Sequence, residues 1–241
     1  MQYKTALYKS YVTTHIAHRK GIVDLEHFRG QSLRFRQHFG RFLPEDKNAK
    51  IADLGCGSGS LVWWLTQAGY KSTKGIDGSP EQVEMAHKLG LESVVLGDAF
   101  EFLDKENGYA AFFARDLIEH FDKQAVFEFL GKCFSSLAPG GQLVLQIPNA
   151  ESPYFGRVRY GDFTHELAFS SASISQLLAA VGFTEIKIHP WRPAITDSKS
   201  LARYIAWRLI EPFLKLPIQI ESGGRNRIVT MNLIAVARKS D

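Results

Sequence analysis

Ile51-Ala52-Asp53-Leu54-Gly55-Cys56-Gly57-Ser58-Gly59 is the stretch whose reading decides the fold. A short apolar run ends in three glycines at alternate positions, and an apolar helical pattern, Leu61–Ala68, follows at once. Glycine at such a place serves a sharp strand-to-helix turn, and it lets a bound molecule approach the backbone where no Cβ intervenes. A dinucleotide site would space its glycines as GxGxxG, with the pyrophosphate on the helix N-terminus. Here the spacing is GxGxG, and an acid, Asp53, precedes it.

Outward from this turn, short apolar runs alternate with amphipathic stretches, which predicts a parallel sheet covered by helices on both faces. Strands are expected at Ile51–Leu54, Thr73–Asp77, Ser93–Leu96, Tyr109–Ala114 and Gln142–Ile147, then at Glu185–His189 and Ile228–Ala237. In the last of these, Val229, Met231, Leu233 and Ala235 fall on one face and Ile228, Thr230, Asn232, Ile234 and Val236 on the other. Helices are expected at Pro80–Leu89, where Ser79 is the N-cap and Pro80 the first helical residue, and at Lys123–Leu137 and Ile174–Val181. Residues 1–48 read as an N-terminal helical cap, and 49–241 as the main domain with insertions at 148–169 and 190–226. Insertions beyond strand ends are where an α/β enzyme keeps its substrate contacts.

The 241 residues are 45% hydrophobic and 22% charged, a composition that excludes a disordered or fibrous chain. The net charge of +4 conceals basic flanks: residues 1–48 hold nine Lys/Arg against four Asp/Glu, and 187–241 hold ten against four. Such flanks suit a phosphate-bearing substrate, a nucleic acid or an anionic membrane surface. Lys4, Lys9, His15 and Arg19 break up Met1–Lys20, which excludes a secretory signal there, and two cysteines provide no disulfide framework. The expectation is a cytoplasmic protein.

Asp53 with Gly55, Cys56, Gly57 and Gly59 resembles motif I of class I S-adenosylmethionine (SAM)-dependent methyltransferases. The resemblance covers about residues 50–147 and implies a Rossmann-like, doubly wound fold with a seven-stranded mixed sheet and SAM as cofactor. It implies that Asp53 faces the amino acid moiety of the cofactor. Asp77, twenty residues after Gly57, takes the ribose hydroxyls, and Asp98 with Ala99 takes the adenine. Arg115, at the end of the fourth strand, joins the cofactor set. An NAD-dependent dehydrogenase would also use Asp77, but the glycine spacing and the lack of a Tyr-x-x-x-Lys pair count against it. A non-catalytic SAM-binding regulator stays open.

Methyl transfer from a sulfonium is an in-line displacement, so the protein mainly aligns the acceptor and removes its proton. The segment Arg115-Asp116-Leu117-Ile118-Glu119-His120 resembles the family segment bordering the methyl group, and Glu119 and His120 are catalytic candidates. Adenine methyltransferases of DNA carry Asp/Asn-Pro-Pro-Tyr/Phe there, so amino-methylation of DNA bases is not expected. One Glu-His pair is too little for a metal site, and none is expected. The insertion Arg157-Val158-Arg159-Tyr160-Gly161-Asp162-Phe163-Thr164-His165-Glu166 is similar to a segment of methyltransferases from bacterial surface-polysaccharide clusters. Arg157 and Arg159 suit phosphate, Tyr160 and Phe163 suit a ring, and His165 is the expected general base. The alternative for His165 is a histidine that pins the loop.

Leu201–Ile218 is apolar over most of its circumference, with Arg203, Arg208, Glu211 and Lys215 on one arc, and Pro212 is expected to interrupt it. It is too charged to span a membrane and reads as a lid, a homodimer contact or a peripheral membrane contact. The acceptor expected is a hydroxyl of a sugar or lipid-linked glycan, ahead of a phenolic or quinone-like molecule. Nucleic acid ranks third, since no RNA-binding module accompanies the basic flanks.

Overall fold

A computed structural model describes Leu7, residues 24–224 and residues 227–240. Most of the expected cap's first half, residues 1–23 apart from Leu7, lies outside the described residues, as do Arg225, Asn226 and Asp241. The chain runs through α1 (Leu25–Phe39), β1 (Ile51–Leu54), α2 (Ser60–Gln67), β2 (Thr73–Asp77), α3 (Pro80–Lys88), β3 (Val94–Leu96) and α4 (Ala99–Lys105). It continues through β4 (Tyr109–Arg115), α5 (Lys123–Ser136), β5 (Leu137–Pro148), α6 (Phe155–Arg159), α7 (Ser171–Val181), β6 (Thr184–Pro190), α8 (Ser198–Ser222) and β7 (Asn232–Arg238).

The seven strands form one sheet in the order β3-β2-β1-β4-β5-β7-β6, the Rossmann-like mixed sheet expected. Strands β1 to β5 are parallel, and β7 runs antiparallel to both β5 and β6. Strand side chains alternate between two cores. Phe112, Leu143, Leu145, Leu233 and Ala235 meet α4, α5 and α7 on one face, while Phe113, Val144, Ile234 and Val236 meet α1 and α2 on the other. Phe112 and Phe113 are neighbours in sequence, fully buried on opposite faces, and cutting either to alanine costs about 3–5 kcal/mol.

Several boundaries differ from expectation for local reasons. The last strand begins at Asn232 rather than Ile228, because Asn149 Nδ2 donates to the Ile228 and Thr230 carbonyls, both at 2.8 Å, and removes them from the ladder. Helix α4 has no counterpart among the expected elements, although Asp98 caps it by accepting from the Phe100 and Glu101 amides. Pro212 does not interrupt α8, a single helix from the Asp197 cap to Gly223 with Pro212 and Pro217 inside it. Both prolines are exposed, so the carbonyls they leave without an amide partner can turn to water.

Candidate functional site

The chain order reverses between β1 and β4, whose carboxyl ends open onto a cavity of about 600 Å³. Such a switch point is where open α/β sheets hold ligands. One half of the cavity is built from the turn after β1. Gly55, Gly57 and Gly59 all have positive φ, and a Cβ on Gly59 would lie 2.8 Å from Val94 Cγ2. The turn is therefore closed to side chains, and its backbone faces the cavity through Gly55, Cys56, Gly57 and Ser58. The Cys56 thiol is buried, which pushes its pKa well up and keeps it protonated.

Asp77 ends β2 and lines the same half. Its Oδ2 accepts from the Gly57 amide at 2.7 Å and its Oδ1 from the Ser79 amide at 2.8 Å, so it ties the glycine turn to the start of α3. Burial raises its pKa against the pull of these two amides. Asp98, Ala99 and Phe100 close the far side of this half. Asp53 lies deeper, fully buried, with Arg115 Nη2 at 3.6 Å, and neither of its oxygens has a hydrogen-bond partner. Burial pushes its carboxyl up to about 6, with Arg115 opposing. Arg115 itself lies on the cavity wall, 4.8 Å over the Phe35 ring, with its Nε unpartnered.

The other half is walled by α1, which contributes His27, Gln31, Arg34 and Phe35, and by Asp116, His120, Gln146 and Trp191. Asp116 occupies the left-handed region, with φ at 51°, just past the end of β4. A non-glycine residue there costs about 1–3 kcal/mol. Gln146 Nε2 donates to both Asp116 oxygens, at 3.1 and 3.0 Å. Trp191 is stacked on His38 with ring centroids 3.8 Å apart, and burial holds the His38 pKa down at about 4, so that ring is neutral at pH 7.

Behind the wall made by His120 lies a dense polar cluster. Glu119 is fully buried, and neither carboxyl oxygen is paired to another side chain among the described residues. Burial, with Asp116 and Asp162 nearby, holds its carboxyl well above the ordinary range. His120 Nδ1 is 2.9 Å from Thr164 Oγ1, and the His120 and His165 ring centroids are 4.7 Å apart, edge to face. His165 Nδ1 donates to the Val158 carbonyl at 2.9 Å, and burial lowers its pKa.

The sequence profile of a family described as a methyltransferase domain matches residues 25–188. The chain belongs to this family. A tRNA U34 carboxymethyltransferase of Vibrio atlanticus is 29% identical over 153 residues, which are 59% of this chain and 47% of that protein. The chain thus spans about half the length of that curated relative. Among solved structures, a SAM-dependent methyltransferase of Archaeoglobus fulgidus superposes with a TM-score of 0.65 at 24% identity, covering 89% of this chain and 97% of that one. The phosphoethanolamine N-methyltransferase 2 of Haemonchus contortus, in complex with phosphomonomethylethanolamine and S-adenosylhomocysteine, gives 0.61 at 15% identity, covering 97% of this chain and 61% of its own.

In this methyltransferase-domain chain the expected residues Gly55, Cys56, Gly57, Asp77, Asp98, Ala99 and Arg115 line one cavity with His120. Gly59 and Asp53 sit behind its surface. Glu119 and His165 are not on the wall, because the first is fully buried and the second is turned onto the Val158 carbonyl. That places His165 away from an acceptor in the cavity, and its role as a base contacting the acceptor loses its geometric footing. Arg159 donates to the His165 carbonyl and lies 5.2 Å over the Tyr160 ring, so it pins the loop. The wall residues of α1, with Asp116, Gln146 and Trp191, were missed. Phe28, Phe35 and Phe39 at positions i, i+7 and i+11 were the signal that α1 lays one face on the sheet.

Proposed function

We propose that this chain transfers the methyl group of S-adenosylmethionine to a hydroxyl oxygen of a polar, sugar-bearing acceptor. The cofactor lies along the glycine turn, with its ribose hydroxyls on Asp77, its adenine beside Asp98 and Ala99, and its amino acid end toward Asp53 and Arg115. Arg115 Nε, on the cavity wall and unpartnered among the described residues, supports this placement, since the carboxylate of the amino acid end supplies its partner, while Asp53 behind the wall adds negative charge on the side of the ammonium group.

The observation that carries the choice of acceptor is the Asp116–Gln146 pair on the wall of the other half, in company with Arg34, Gln31 and the Trp191 ring. Paired carboxylate and amide groups beside an indole suit a ring bearing several hydroxyls. The acceptor oxygen attacks the sulfonium methyl, the C–S bond breaks to leave S-adenosylhomocysteine, and Asp116 takes the hydroxyl proton. A screen of sugar and glycan acceptors with methyl-labelled SAM tests this. The expected product is a methyl ether, and Asp116→Asn is expected to lower kcat by about 10²–10⁴-fold while SAM affinity stays within about threefold. A product methylated on nitrogen, or an Asp116→Asn enzyme with most of its kcat, sinks the reading.

A tRNA acceptor is the second reading. It rests on the name of the curated relative and on Arg29, Arg34, Arg36 and Arg41 along α1 and the turn that follows. Incorporation of label into bulk tRNA, falling steeply with salt, would replace the first reading.

The partner we assign to α8 is an anionic membrane surface. Leu201, Ile205, Leu209, Phe213, Leu216 and Ile220 form one exposed apolar stripe, spaced four, four, four, three and four residues apart. Ser200 and Glu211 are the buried residues of this helix, and Glu211 is gripped by Arg192 and Lys215. Exposed Lys199 and Arg208 border the stripe, and Glu221 is the exposed acid of the helix, a balance that complements anionic headgroups. No residue of α8 lines the cavity, so it does not serve as the expected lid in this conformation. No helix among the described residues is long and apolar enough to cross a membrane.

A further inference from the structure

We infer that Glu119, His120 and His165 form a binding site for one divalent transition cation of the zinc class, directly behind the cavity wall. Each offers a ligand atom, and these atoms all lie within 4.8 Å of one another. A tetrahedral site with bonds of about 2.0–2.2 Å needs ligand atoms about 3.3–3.5 Å apart, so each has to move by roughly 1 Å or less.

Three independent features support a cation here. The first is the Glu119 carboxyl group: fully buried, with neither oxygen paired to another side chain among the described residues. A buried carboxyl group without partners for its oxygens is costly, and a bound cation, by displacing the proton, is a partner that satisfies the resulting carboxylate.

The second is the proton arrangement on the two imidazoles. Thr164 Oγ1 donates its own proton to Asp162 Oδ1 at 2.6 Å, so it accepts from His120 Nδ1 at 2.9 Å. His165 Nδ1 faces the Val158 carbonyl, which can only accept. In the neutral form both rings then carry the proton on Nδ1 and leave the lone pair on Nε2, the form in which histidine binds a metal, with a hydrogen bond at the other nitrogen to orient each ring.

The third is rigidity. Glu119 and His120 belong to the turn after β4, and His165 comes from the 149–169 segment. The Glu166 and Leu167 amides donate to the Glu119 carbonyl at 2.7 and 3.1 Å, which fixes the two segments together before any ion arrives.

Two imidazole nitrogens and one carboxylate form a borderline donor set that suits Zn²⁺, Co²⁺ or Fe²⁺ better than Mg²⁺ or Ca²⁺. The Asp116 and Asp162 carboxylates beside Glu119 add to the attraction for a cation. Bound there, the ion cross-links the turn after β4 to the 149–169 segment and holds His120, part of the cavity wall, in a fixed orientation. This site stands apart from the identity of the acceptor.

The test is titration of the chelator-treated full chain with Zn²⁺, together with the visible absorption of its Co²⁺ form. One ion per chain is expected, with the intense Co²⁺ bands of four- or five-coordinate geometry. Glu119→Gln, nearly isosteric, should weaken binding by about a hundredfold, as should His165→Ala. Zn²⁺ should raise the Tm of the wild type and leave that of Glu119→Gln unmoved. SAM titration of the same variants should be unchanged within about threefold, which separates failure of this site from failure of the methyltransferase reading. Absence of stoichiometric binding, or Zn²⁺ affinity unaltered in a folded Glu119→Gln protein, overturns the proposal.

Discussion

The Asp77 carboxylate holds the Gly57 amide at 2.7 Å, so the residue assigned to the cofactor ribose also fastens the turn on which the cofactor would rest. Asp77→Ala removes both functions. SAM affinity should fall by roughly ten- to a hundredfold, about 1.5–3 kcal/mol. Isothermal titration reads this directly, and unchanged affinity in a folded variant removes Asp77 from the cofactor site.

Asp53 predicts a pH dependence with a definite sign. Its folded pKa of about 6 exceeds the ordinary value of 3.8, so the folded chain binds the extra proton between these values. Its contribution to stability is then fully present below about pH 3.8 and is lost as pH rises through 6. The loss is on the order of 3 kcal/mol. Asp53→Asn does not titrate, so urea unfolding of the two proteins should show the wild type losing ground to the variant from about pH 4 to 7, with no further change above. A difference that is flat across this range refutes the raised pKa.

The stripe on α8 predicts that the protein sediments with phosphatidylglycerol vesicles at physiological salt and much less with neutral ones. Leu209→Glu with Phe213→Glu removes two apolar anchors, each giving about 1.5–3 kcal/mol when fully buried. Vesicle partitioning should fall at least tenfold while SAM binding is kept. If the wild type instead ignores vesicles and is a dimer that the double variant dissolves, the stripe is a subunit contact.

Much of the frame was legible because it depends on short-range pattern. The Ile51–Gly59 turn, the apolar runs of β1, β2 and β4, and the alternation of Leu233 to Val236 all reflect burial on a fixed period. The convergence of Asp77 and Asp98 on one cavity was legible for a related reason, since they sit at the ends of successive strands and the sheet brings strand ends together. The other half was not, because α1 and Trp191 reach the cavity from either end of the described chain through contacts without local spacing. Glu119 and His165 were singled out as separate chemical candidates. Their proximity depends on the 149–169 segment folding back onto the Glu119 carbonyl, a long-range event with no periodic signature.

One clasp joins the two ends of the molecule. Gln37 of α1 donates to the Ile195 carbonyl at 2.6 Å and accepts from the Ile195 amide at 2.9 Å, while Arg192, next to Trp191, grips Glu211 of α8 through two bonds of 3.0 Å. The front wall of the cavity and the long surface helix are thereby one mechanical linkage, with residues 191–197 as its connecting rod. Trp191 is also tied to the sheet, since its amide donates to the Asn232 carbonyl of β7 at 3.3 Å, so α8, the border of the cavity and the sheet all share this one segment.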